Sequence, residues 1–331
     1  MRGRRGKRQA WLLRLWQAGA MLLLLVALLI WFVLGGPRQT TPPQLVTEPD
    51  QQVAPLVNFI NGAHTSLDGE IYILTSPYVL EALESAPARG IRVRLLLERY
   101  PGSGPSPKET FARLQEHGVQ VRWAPRRFRF THAKWLLRDR QTAWIGTMNW
   151  SAVAFKENRG FALVLTDKPV VQQLAQVFAA DWQDRELTAR VSRLVVSPTN
   201  AWQQIARLIR GARSTLDVYA EWLNDPHSTA LLEQAAQRGV RVRLVWSGIG
   251  EVSDLPRGGV RVVACKQPPI TAKAMVVDGA TVFVGSVNFT DASFHQNREV
   301  GVILRDRAVA AGVERAFAED FSSGTPIELP K

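Results

Sequence analysis

Two stretches of this chain are near copies of two others. Gly62-Ala63-His64-Thr65-Ser66-Leu67-Asp68 returns as Gly211-Ala212-Arg213-Ser214-Thr215-Leu216-Asp217, and Arg89-Gly90-Ile91-Arg92-Val93-Arg94-Leu95 returns as Arg238-Gly239-Val240-Arg241-Val242-Arg243-Leu244, both 149 residues on. Segments with the same apolar pattern demand the same packing partners, so a repeat of this length implies two like bodies. The glycines at 62, 90, 211 and 239 stand where a helix is expected to end, and the alternating runs 91–97 and 240–246 read as strands. Each half reads helix, strand, helix, strand, strand, motif strand, short strand, turn, strand and closing helix, the last over 168–184 and 306–321. The expected fold class is α/β, two duplicated halves of mixed β-sheet flanked by helices and packed together, spanning 56–190 and 191–331.

Within the first half lies Thr131-His132-Ala133-Lys134-Trp135-Leu136-Leu137-Arg138-Asp139, followed by Gly146-Thr147-Met148-Asn149. Alternate residues of a strand share a face, so His132, Lys134 and Leu136 point one way. The second half carries Thr271-Ala272-Lys273 with Asp278, then Gly285-Ser286-Val287-Asn288, now 139 residues on. The offset falls from 149 to 139 because the first half holds ten extra residues, expected in and around the Pro/Gly/Ser loop 101–108. Lys134, Asp139, Gly146 and Asn149 match Lys273, Asp278, Gly285 and Asn288, while His132 matches Thr271.

A phosphodiester repels anionic attackers. Its cleavage needs cations on the non-bridging oxygens, a nucleophile, and an acid for the departing oxygen. Lys134 and Lys273, with Asn149 and Asn288 and the hydroxyls of Thr147 and Ser286, can make a two-sided oxyanion cradle. That scheme needs neither cofactor nor metal, and the five histidines at 64, 117, 132, 227 and 295 are too scattered to suggest one. Cys265 is the only cysteine, which rules out an intrachain disulfide and suits a small buried apolar residue at a strand end.

Paired HxKx4D motifs with a downstream G-[ST]-x-N resemble the phospholipase D superfamily, whose two halves pool their motifs into one phosphodiesterase site. The resemblance covers nearly all of 56–321. It implies that His132 attacks phosphorus to form a phosphohistidine, that Thr271 stands where the acid/base histidine would be, and that Asp139 and Asp278 fix their motif strands. The family's N-x-E after the turn, which orients the histidine of the opposite half, is Asn297-Arg298-Glu299 in the second half, so Glu299 should serve His132. In the first half the same place reads Asn158-Arg159-Gly160, so acid and orienter are missing together. His295 and Glu157 are the nearest titratable residues in sequence that could compensate. The resemblance implies a phosphodiesterase or phosphatidyltransferase acting on phospholipid, with a nuclease, or a phosphate-binding protein without turnover, as alternatives.

The first 36 residues read as a membrane segment. Arg2, Arg4, Arg5, Lys7, Arg8 and Arg14 precede an uncharged apolar run over 18–34 with Trp16 and Trp31 at its ends. Seventeen helical residues span about 26 Å, near the thickness of a hydrocarbon core, and the basic flank predicts a single-pass anchor with the N-terminus cytoplasmic and the body exported. These six residues leave 35 basic against 29 acidic ones, so the net charge of +12 falls to +6 for the remainder. A mildly basic body suits a phosphate-bearing substrate or an anionic bilayer. Residues 37–55, with Pro42, Pro43 and Pro49, read as an extended tether. Arg122, Arg126, Arg127 and Arg129, interleaved with Trp123, Phe128 and Phe130, suit a nucleic-acid groove or a lipid surface equally well.

Overall fold

The computed structural model describes Trp16, residues 19–24, Val26, residues 41–102 and residues 106–328. It divides into two units, 1–41 and 42–331. In the first, Trp16, 19–24 and Val26 are helical, and most of the expected span over 18–34 lies outside the described residues. Among the described residues no helix is long and apolar enough to cross a membrane.

The second unit contains two sheets. The first has strands β1 (Gln44–Glu48), β2 (Ser66–Ile71), β3 (Arg92–Leu97), β4 (Gln120–Trp123), β5 (Lys134–Arg138), β6 (Thr142–Gly146) and β7 (Gly160–Leu165), in the order β1-β7-β6-β5-β2-β3-β4. The second has β8 (Leu194–Ser197), β9 (Thr215–Leu223), β10 (Arg241–Gly250), β11 (Arg261–Ala264), β12 (Ala274–Val277), β13 (Thr281–Gly285), β14 (Glu299–Arg305) and the short β15 (Thr325–Pro326), in the order β15-β11-β10-β9-β12-β13-β14-β8. Apart from β15 the two orders are the same. In each, three strands run parallel and the motif strand joins them antiparallel, so both sheets are mixed as expected.

Both sheets contribute one face to a shared core. Trp135, Ile145, Phe161 and Leu163 meet Val276, Val282, Val284 and Val302 there, together with Phe178 and Phe317 from the closing helices Lys168–Trp182 and Arg307–Ser323. The opposite faces are covered separately, one by the helices Ala54–Asn61 and Pro77–Ser85, the other by Ala201–Gly211 and Pro226–Gln237. Burying each large apolar side chain in these layers contributes about 1.5–3 kcal/mol.

Two elements depart from the sequence reading. Residues 44–48, expected within the tether, form edge strand β1, paired along its whole length with β7 and burying Val46. The insertion of the first half is not only a loop, because Lys108–Glu116 is a nine-residue helix packed through Leu114.

The halves are tied by two equivalent buried clamps. Arg159, just before β7, donates to Asp320 of the second closing helix at 2.7 and 3.1 Å and to Glu48 O at 2.9 Å. Arg298, just before β14, donates to Asp181 of the first closing helix at 2.7 and 3.0 Å and to Ser197 O at 2.6 Å. Tyr219 completes one clamp by donating to Asp320 at 2.6 Å, and its repeat equivalent Glu70 is buried beside Asp181. Burial, reinforced by the charge of Asp181, pushes the Glu70 carboxyl well above the usual range.

Candidate active site

Cross-half pairing places the histidine. Its backbone N donates to Arg298 O at 2.8 Å, and Arg298 N donates to Phe130 O at 2.8 Å, so the segment before β5 is held by the residue before β14. The next residue, Glu299, then meets His132 Nδ1 with its two carboxylate oxygens at 2.9 and 3.1 Å. Ser293 Oγ and Asn297 Nδ2 also donate to Glu299, at 2.9 and 3.2 Å. Burial pushes the Glu299 carboxyl up, but the attraction of His132 and Lys134 outweighs it and holds the group below its usual value. Burial also lowers the imidazole pKa, against the pull of Glu299. A neutral ring whose Nδ1–H is taken by Glu299 leaves the Nε2 lone pair free.

The two motif lysines are both 1% exposed. Lys134 Nζ donates to its own His132 O and lies 4.9 Å above the Tyr72 ring, which in turn packs edge-on to the imidazole at 4.6 Å. Lys273 Nζ donates to Thr271 O at 2.9 Å and Thr147 O at 3.2 Å and forms an ion pair with Glu221. Burial, with the neighbouring Lys273 charge adding to it, lowers the Lys134 pKa well below that of an ordinary lysine. Two motif lysines buried together, one of them paired with Glu221, are placed to receive an anion.

His132, Asn149, Asn288 and Glu221 line one cleft of about 640 Å³, shared by both halves. The side-chain oxygens of Asn149 and Asn288 are buried without a hydrogen-bond partner, so each can accept from a donor on a ligand. The hydroxyls of Thr147 and Ser286, expected at the phosphate, face the backbone instead. Thr147 Oγ1 accepts from Phe161 N at 3.1 Å and Ser286 Oγ from Val300 N at 3.0 Å, and both residues are fully buried. Asp139 and Asp278 sit at the far ends of their motif strands. Asp139 accepts from the backbone of His64, Thr65 and Ser66, and Asp278 from that of Arg213, Ser214 and Thr215.

Residues 56–182 and 205–321 match the family described as cardiolipin synthase, PLD-like domain. The chain belongs to this phospholipase D-like family. It is 26% identical over 274 residues to cardiolipin synthase B of Escherichia coli (strain K12), covering 68% of this chain and 66% of that protein. The chain therefore spans just under two thirds of that relative's length. Two solved structures share the fold. Polyphosphate kinase from Porphyromonas gingivalis superposes with a TM-score of 0.71 at 18% identity, over 83% of this chain and 46% of that one. Phosphatidylserine synthase from Haemophilus influenzae Rd KW20 gives 0.63 at 12%, over 86% and 87%.

Compared with the surroundings of His132, those of Thr271 differ in four places. Thr271 Oγ1 donates to Arg159 O at 3.1 Å, so its hydroxyl is engaged with the backbone. A Cβ at Gly160 would meet Met148 Cε at 2.6 Å, so a carboxylate there requires the methionine side chain to move. Met148 matches Val287 in the second half, and Ala154 matches Ser293, the hydroxyl that supports Glu299. A carboxyl does persist nearby. Glu48 pairs across the β1–β7 ladder with Gly160, whereas the equivalent pair is Ser197 with Glu299. It is fully buried with neither oxygen hydrogen-bonded, and burial pushes it up to about 8. Gly160→Glu is expected to cost about 1–3 kcal/mol through overpacking, most of it recovered when Met148→Val is added, as read from urea unfolding midpoints. Equal midpoints for the single and double variants would show that Met148 is not what closes this space.

The other sequence candidates lie elsewhere. His295 and Glu157 are exposed, and neither lines the cleft. Part of the arginine and aromatic run makes contacts within the protein, though its four arginines are exposed. Arg127 pairs with Asp181 and Asp184, Arg122 donates to Trp182 O at 2.8 Å and lies on that indole, and Arg129 and Phe130 line the cleft. Cys265 is buried beyond the end of β11. Among the described residues no three His, Cys, Asp or Glu side chains gather as metal ligands. Tyr72, Glu221, Met148 and Ser293 were not singled out by sequence. Comparing the repeats position by position could have found them, because Tyr72 matches Glu221 and Ala154 matches Ser293.

Proposed function

We propose that this chain is a phosphodiester-transfer enzyme acting on phospholipid, moving a phosphatidyl group from one alcohol to another through a phosphohistidine at His132. The observation that carries this reading is the Glu299 carboxylate at 2.9 Å from His132 Nδ1, in a cleft whose lining residues Tyr72 and Glu221 contact the two buried lysines. Lys134 and Lys273 hold the non-bridging oxygens, Asn149 and Asn288 offer amides to the same group, and the lysine charge builds up stabilisation as phosphorus becomes five-coordinate. The names of the cardiolipin synthase relatives supply the substrate class. The basic stretch and the apolar run 18–34 would hold the body against a bilayer, with the N-terminus inside and the body exported.

The test is to incubate the full chain with phosphatidylglycerol vesicles, follow headgroup alcohol release and new phospholipid, and trap protein-bound phosphate at acid-labile sites. Headgroup release together with an acid-labile phosphoprotein is the expected result. Tight binding of the vesicles with neither product would favour the second reading, a phosphate-binding protein without turnover, to which the Thr271 and Met148 geometry points.

A further inference from the structure

The cleft contains a carboxylate that the scheme above does not use. We propose that Glu221 replaces the imidazole missing at position 271, giving a proton to the departing alcohol and recovering one from the acceptor; this rests on the phosphodiester-transfer reading above.

Glu221 lies near the end of β9 and lines the same cleft as His132, Asn149 and Asn288. It pairs with Lys273 Nζ, and that same ammonium donates to Thr271 O at 2.9 Å. The carboxylate is thus one ammonium away from the residue that stands in the acid position. The duplication supplies an internal control. At the equivalent point of β2 and its following residue, the first half has Tyr72, which touches the motif lysine and histidine of that half through its ring. The architecture accepts an aromatic there, so a carboxylate is not a requirement of folding. It occurs in the half that has lost its histidine, and the half that keeps its histidine lacks it.

Other acids near the cleft are otherwise engaged. Glu299 is committed to His132, Ser293 and Asn297, and Asp291 is exposed and accepts from Gln296 Nε2 at 2.7 Å. Glu221 keeps 26% of its side chain exposed, within reach of a bound ester.

The proton inventory closes. At rest the carboxylate is paired with Lys273. A phosphodiester entering the cradle draws that ammonium to its non-bridging oxygens, and Glu221 exchanges its ion pair for a proton taken from water. In the first step His132 Nε2 forms a bond to phosphorus, the bond from phosphorus to the departing oxygen breaks, and that oxygen takes the Glu221 proton. In the second step the acceptor oxygen attacks phosphorus, its proton passes to Glu221, and the phosphorus–nitrogen electron pair returns to Nε2. When the product leaves, Glu221 returns this proton to water and pairs with Lys273 again, so the cycle closes with no net proton gained or lost.

The experiment compares two substrates in the full chain, phosphatidylglycerol vesicles and bis(4-nitrophenyl) phosphate, for wild type, Glu221→Gln and Glu221→Asp. Glutamine keeps the shape and still accepts from Lys273 but cannot transfer a proton. The expected result for Glu221→Gln is a loss of about 10²–10⁴-fold on the phospholipid, whose alkoxide needs the proton, and a far smaller loss on the nitrophenyl ester, whose leaving group does not. Glu221→Asp is expected to retain a measurable part of the phospholipid rate. Equal losses on both substrates would reduce Glu221 to a holder of Lys273 and overturn the proposal. So would a wild type that cleaves the nitrophenyl ester through His132 but never the phospholipid. Failure of the wild type on both substrates overturns the phosphodiester-transfer reading, and the role of Glu221 with it.

Discussion

His132→Ala is expected to lower phosphodiester cleavage by about 10⁴-fold or more and to abolish the acid-labile phosphoprotein, because the nucleophile is then absent rather than weakened. The fold should survive, since the imidazole lies at the cleft wall and Arg298 holds the strand by backbone contacts that alanine keeps. Glu299→Gln tests the same device from the other side. Glutamine can offer Nδ1 only a weaker neutral acceptor, or turn its amide donor to the ring and favour the wrong tautomer. A loss of about 10²–10³-fold in the plateau of kcat/KM is therefore expected.

The pH profile gives a second readout. Burial lowers the pKa of His132, so the neutral nucleophile persists below the ordinary imidazole value and the acid limb should lie under pH 6.5. Glu299 opposes that lowering, so its removal should move the limb further down while the plateau falls. An acid limb that rises in Glu299→Gln, or activity that survives His132→Ala, would show that another residue attacks phosphorus.

Asp320→Ala is expected to cost about 3–5 kcal/mol of stability, the second large effect, because it leaves a buried guanidinium with only Glu48 O and the exposed Asp50, 3.5 Å away, as partners. Arg159 is 4% exposed and Asp320 1%, and the pair spans the two halves at 2.7 Å with the Tyr219 hydroxyl on the same carboxylate. Replacing both partners by apolar residues, as in Arg159→Met with Asp320→Leu, should recover much of the loss, since the penalty comes from the unpaired charge more than from the missing bond. Urea unfolding of the three proteins checks this. A loss under about 1 kcal/mol for Asp320→Ala would mean that Arg159 relaxes onto other acceptors, and that the clamp does not join the halves. Asp181, on the mirror clamp, adds a functional consequence. It holds the side chain of Arg298, the residue between Asn297 and Glu299, so loosening it should disturb the orientation of His132 as well.

What could be read from residues alone was whatever repeats or alternates locally. The doubled segments at 62–68 and 211–217, the glycines after helices and the two-residue alternation of 91–97 and 240–246 state the duplicated α/β architecture, because each depends on neighbours in the chain. His132, Lys134, Lys273 and Glu299 were legible through motif spacing and family resemblance, and the loss at Thr271 and Gly160 through comparison of the halves. Edge strand β1 was missed because five residues between prolines carry little periodic signal, and its ladder partner β7 lies more than a hundred residues away. That Arg127 would pair with Asp181 of the closing helix and with Asp184 just beyond it could not be read from the run itself. Only the tertiary structure could decide that Met148 fills the space beside Gly160, that Thr147 and Ser286 turn to the backbone, and that Glu221 stands against Lys273 in the cleft. These outcomes depend on which strands of two sheets come to lie face to face. Side-chain chemistry and spacing specify the strands, but contacts between halves follow from packing that no local pattern records.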